Sequence, residues 1–129
     1  MMPRGQRNHV YVEINPDSGL PVRILKSLKQ AMNLSDDLVR YVNRTWVVGE
    51  IRRQVFERDN YECQRCSARL TLQTGHCDEF ISRGEGGQIS LDNSWLLCAS
   101  CHVLSPSSEH GNRRPHFNKN AYNLLNKKL

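Results

Sequence analysis

Two Cys-x-x-Cys pairs frame the middle of this chain, Cys63-Gln-Arg-Cys66 and Cys98-Ala-Ser-Cys101. A turn of this kind aims two sulfurs at one point. Two such turns can close a tetrahedral Zn²⁺ site with Zn–S bonds of about 2.3 Å. Four thiolates leave no open coordination position, so the expected zinc is structural and any catalysis needs other groups. A redox role is the weaker reading, because neither pair sits in a thioredoxin-like strand–helix context. Cys77 is a fifth, spare cysteine, and an odd count suits a disulfide framework poorly.

Between the pairs run Gly75-His-Cys-Asp-Glu79, Ser82-Arg-Gly-Glu-Gly-Gly87 and Leu91-Asp-Asn93, and His102 follows the last cysteine. Phosphodiester hydrolysis requires a metal that polarises the phosphate, a base that activates water and a cation that offsets developing charge. Candidates for each are present. Asp78 is a hard anionic ligand. Asn93 and His102 can coordinate or orient, and such oxygen and imidazole donors suit Mg²⁺ or Mn²⁺. His76 and Glu79 can take a proton. Arg83 can contact phosphate, and Gly84, Gly86 and Gly87 let backbone approach it closely. Each residue alone also has an ordinary reading as a surface histidine, a turn asparagine or a turn glycine. Their enclosure in one metal-tied loop is what favours the joint reading.

With 129 residues, the chain is one domain with arms. Only 38% of it is hydrophobic, and a small unit so composed is a usual place for a metal staple. The net charge of +5 favours a polyanionic partner such as DNA through counterion release. Arg52, Arg53, Arg113 and Arg114 are further candidate phosphate contacts. No apolar run approaches a membrane span. The polar N-terminus lacks the apolar core of a secretory signal, so a reducing, cytoplasmic setting is expected.

The elements that must position these groups follow from pattern. Residues 9–15 alternate as a strand, Asn15-Pro-Asp-Ser-Gly19 is turn chemistry, and residues 21–25 return as a second strand. Short helices are expected over 25–32 and, capped by Ser35, over 36–43. Residues 47–59 form a longer helix with Val48, Ile51 and Val55 as its apolar stripe. A strand is expected over 70–75, continued by Phe80 and Ile81. The segment 82–88 is a loop, Trp95 to Leu97 is a short strand or helix entry, and a helix starts at Cys98. The basic segment 109–118, with His110 and His116, reads as surface, and 120–129 as a weak amphipathic helix. The division is thus an accessory region 1–46, a core 47–104 and a basic tail 105–129, in an α+β fold.

The core resembles the HNH endonucleases of the ββα-metal class, in their four-cysteine zinc version. The resemblance rests on Val55-Phe-Glu-Arg-Asp-Asn-Tyr-Glu-Cys-Gln-Arg-Cys66, Ile81-Ser-Arg-Gly-Glu-Gly-Gly87, Ser90-Leu-Asp-Asn93 and Leu97-Cys-Ala-Ser-Cys-His102, and covers about residues 47–104. It implies a two-stranded hairpin with a long loop followed by a helix, and metal-dependent cleavage or nicking of DNA. Small basic proteins of this type are common in phages, which would place the chain in host cytoplasm. Asn93 matches the family's middle Asn and His102 its last His. Asp78 falls at the metal-binding place. Glu79 stands where the family usually shows its general-base His, and here the chain departs from the pattern.

Two bases stay open. His76 shares a strand face with Asp78, and an imidazole near pKa ~6.5 suits neutral pH better than a carboxyl near ~4.3. Glu79 could enter at a strand end or bulge. The alternative to an endonuclease is a non-catalytic, zinc-stabilised DNA-binding module, which does not require Asp78, Asn93 and His102.

Overall fold

The computed structural model describes residues 8–105. Arg113, Arg114, His110, His116 and the expected helix over 120–129 lie outside the described residues. The first strand, β1 (His9–Ile14), and β2 (Pro21–Ile24) pair antiparallel. Their turn closes as its residues dictate. Asn15 accepts from Asp17 N through its side chain, and Gly19 takes a φ of +71°.

Residues 36–43 do not form the expected helix. Only Asp36–Leu38 makes a 3-10 turn, and Val39–Asn43 forms strand β3 on the free edge of β1. The sheet order is β2-β1-β3. Val39, Tyr41 and Val42 are β-branched or aromatic, and pairing with a central strand outweighs the helix signal of Ser35 and the two acids. The first helix is shorter than expected. It is α1 (Leu28–Met32), capped by Ser27, whose side chain accepts from Gln30 N. Leu25 stays with the strand, donating its N–H to Tyr11 O at 2.9 Å.

The main helix, α2 (Arg44–Arg58), starts three residues before the expected position. Asn43 supplies the reason, since its side chain accepts from Thr45 N and Trp46 N. Val47, Ile51, Val55 and Phe56 form the buried stripe. The second sheet pairs β4 (Gly75–Glu79) with β5 (Ser94–Cys98), and α3 (Ala99–Val103) follows directly. The expected strand over 70–75 is instead a bridge and a turn. Glu62 bridges Arg69, and Thr71 and Thr74 close a turn that returns Gly75 N to Thr71 O at 2.9 Å. The strand begins at Gly75, which packs closely on Phe56. A Cβ at that position would fall 2.5 Å from the ring.

One buried cluster runs from Val12 and Ile14 through α2 to Leu70, Phe80, Trp95, Leu96 and Leu97. The N-terminal sheet therefore shares its core with the hairpin. Backbone bonds join them too. Ile24 N donates to Ile89 O at 2.8 Å and Leu91 N to Val22 O at 2.9 Å. No helix among the described residues is long and apolar enough to cross a membrane.

Asp59 locks the end of α2 to β5. It is buried, accepts from Leu96 N at 2.9 Å and pairs with Arg58 at 2.9 Å. Arg58 in turn donates to the carbonyls of Leu91 and Ser94, each at 2.6 Å. Asp59→Ala leaves the buried Leu96 N–H without its acceptor, while Arg58 keeps its bonds to the Leu91 and Ser94 carbonyls. It should cost about 1–3 kcal/mol in urea unfolding, and an unchanged midpoint would refute that coupling.

Candidate functional site

The four expected cysteines meet. The sulfurs of Cys63, Cys66, Cys98 and Cys101 all lie within 4.8 Å of one another, and Cys66 Sγ is 3.7 Å from Cys98 Sγ. Bonds of about 2.3 Å to a tetrahedral ion set sulfurs close to that spacing, so the group can hold a metal ion such as zinc. Each knuckle has a backbone N–H aimed at its first sulfur: Cys66 N to Cys63 Sγ and Cys101 N to Cys98 Sγ, both at 3.5 Å. Ser67, at a φ of +65°, turns the first knuckle back so that Cys63 N reaches Ala68 O.

The thiols differ in basicity for physical reasons. Burial pushes Cys63 up, but the N–H groups of Cys66, Cys98 and Arg65 outweigh it and bring the thiol down to about 7. Burial and the three neighbouring thiols push Cys101 up to about 12. Such a group accepts four negative charges only around a cation. Cys77 stands apart, and burial raises it to about 11.

Asp78, His102 and His76 gather on the α3 side of the hairpin. Asp78 is 5% exposed, with Oδ1 3.5 Å from His102 Nε2. The His76 and His102 rings lie 5.1 Å apart, centroid to centroid. Strand alternation brings His76 and Asp78 to one face, as expected. Two residues that sequence reasoning missed hold Asp78. Trp95 Nε1 donates to Oδ2 at 2.9 Å, and Ser105 Oγ donates to the same oxygen. Trp95 stands opposite Asp78 across the β4–β5 pair, a partnership no local sequence pattern displays. Ser105 carried no such pattern either, because its approach depends on how α3 folds back.

Asn93 sits at the base of the glycine loop. Its Oδ1 accepts from Ile81 N, and its Nδ2 donates to Ile81 O and Gln88 O, all at 2.9 Å. The amide thus clamps both ends of the loop, the orienting task that was one of the two expected for it. Gly87 is required by the same closure, since a Cβ there would fall 1.8 Å from Ile81 O. Gly86 takes a φ of +93°.

Glu79 lies elsewhere. With Cys77 it lines a cleft of about 520 Å³ against Val48, Ile51, Arg52 and Val55 of α2, and His76 reaches the same cleft. Its Oε1 is 3.8 Å from Arg83 Nε. The Arg83 side chain is 64% exposed. Arg52 is engaged internally, donating to Leu72 O and lying 4.5 Å from the Phe56 ring centre. Arg53 pairs with Glu50 and Glu57, which raises its pKa. Among the described residues, the four cysteines are the one group of three or more His, Cys, Asp or Glu with all ligand atoms this close.

No protein-family model, curated protein or solved structure matches the chain.

Cys63→Ser should abolish metal retention, measured as bound zinc after gel filtration, and should unfold the region with it, because binding and folding are coupled in such sites. Full zinc content with native circular dichroism would overturn the assignment.

Proposed function

We propose that the chain is a metal-dependent DNA endonuclease with a ββα-metal core of the HNH type, stapled by a structural Zn²⁺ at the four cysteines. The observation that carries this reading is the Asp78–His102 pair, 3.5 Å apart where the hairpin meets the helix, beside the Asn93-clamped loop. Supporting it are the resemblance of the motifs, their order on β4, β5 and α3, and the basic charge of the chain.

Asp78 Oδ1 and His102 Nε2 would hold the catalytic ion. A cation with bonds of about 2.1 Å spans that separation. When bound, Mg²⁺ or Mn²⁺ supplies a Lewis acid that polarises the phosphoryl oxygen and stabilises the leaving oxygen. His76, on the same face and against the His102 ring, orients the attacking water and takes its proton. Arg83, at the mouth of the glycine loop, offsets phosphate charge. Glu79 is turned toward the α2 cleft and Arg83, so it serves the substrate side rather than the water.

Supercoiled plasmid should be nicked or linearised with Mg²⁺ or Mn²⁺, and His102→Ala should abolish this. Salt-sensitive DNA binding without cleavage under either ion would replace the endonuclease by the non-catalytic module.

The choice of base has its own test in the same assay. His76→Ala should lower the cleavage rate about 100-fold or more, and Glu79→Gln should lower it much less. The reverse order would make Glu79 the base.

A further inference from the structure

We propose that Trp95 and Ser105 are positioning residues that fix Asp78 as a one-oxygen metal ligand. The inference rests on the metal site of the proposed function and adds residues that its family resemblance did not include. Both donors converge on Oδ2, and Oδ1 is the oxygen turned to His102 Nε2. The carboxylate is buried, and so are its two holders, with Trp95 and Ser105 each 1% exposed. Two donors on one oxygen oppose rotation about the Cβ–Cγ bond and tie Oδ2 away from a cation. Burial makes their loss expensive, because water cannot readily replace them. Trp95 is itself held by Phe80, with ring centroids 5.1 Å apart. Ser105 follows α3 directly, and its N–H donates to His102 O at 3.1 Å. One short segment therefore carries both the second ligand, His102, and a brace for the first. Partners of ligating groups commonly set metal affinity by about 10- to 100-fold.

The test is a Mn²⁺ titration of the full chain, already loaded with zinc, followed by electron paramagnetic resonance of the free ion. Ser105→Ala and Trp95→Phe should each weaken Mn²⁺ binding about tenfold or more, with zinc content and far-ultraviolet circular dichroism unchanged. Ser105→Ala removes a single oxygen, and Trp95→Phe keeps a ring against Phe80, so the pair guards against a variant that fails to fold. Affinities within twofold of the unaltered chain in the folded variants would overturn the positioning role alone. Absence of Mn²⁺ binding in the unaltered chain would overturn the metal site as well, leaving Asp78 a buried structural carboxylate.

Discussion

Four thiols held within 4.8 Å of one another are the constraint on which the rest of this molecule depends. Four thiolates this close repel one another, and a bound cation would offset that repulsion. Cys98 joins several elements at once. It ends β5, and its sulfur accepts from Cys101 N as the N-cap of α3. The first knuckle is tied to the same strand through Gln64 N and Leu96 O, at 2.9 Å. Closing the four-cysteine group therefore sets where α3 starts and how it leaves the hairpin. His102, the residue after Cys101, inherits its position from that closure.

The cysteine group was legible in the sequence because the knuckle is local: the spacing alone aims each pair of sulfurs. The hairpin of β1 and β2 was legible for a similar reason, since turn residues and alternation act within a few positions. β3 was not. Whether residues 39–43 coil or extend depends on the open edge of β1, some 30 positions earlier, and no local pattern encodes that edge. The misplacement of β4 has the same origin. Residues 70–75 alternate as a strand should, but Thr71 and Thr74 close a turn there and pairing starts at Gly75, packed on Phe56. Asp78, His102 and His76 could be named from residue type and spacing. Their braces could not, because Trp95 and Ser105 reach Asp78 only after pairing and helix closure.

The N-terminal sheet does more than accompany the hairpin. Residues 89–91 bond to β2, and Gln88 Nε2 donates to Ile24 O and to Gln30 Oε1, both at 3.0 Å. Gln88 O is also one of the carbonyls gripped by Asn93. The far end of the glycine loop is thus held from both sides. A boundary at residue 46 describes a change in sequence character, whereas the buried cluster and these bonds cross it. The glycines give the loop the freedom to close, and the N-terminal sheet and Asn93 remove that freedom once it has closed.

The departure at Glu79 has a geometric consequence. Neighbouring residues on a strand face opposite ways, so Asp78 and Glu79 cannot both point at α3 while β4 stays regular through Glu79. In this chain it does, pairing Glu79 with Ser94. The position two residues before Asp78 then becomes the one that shares its face, and His76 occupies it, its ring tilted against that of His102 at 5.1 Å. A carboxylate at 79, turned toward Arg83 and α2, is compatible with an imidazole doing the proton work from 76. In the proposed nuclease the base sits at 76, three residues before the usual place and one period of alternation from Asp78, and the regular pairing of β4 with β5 is the physical reason.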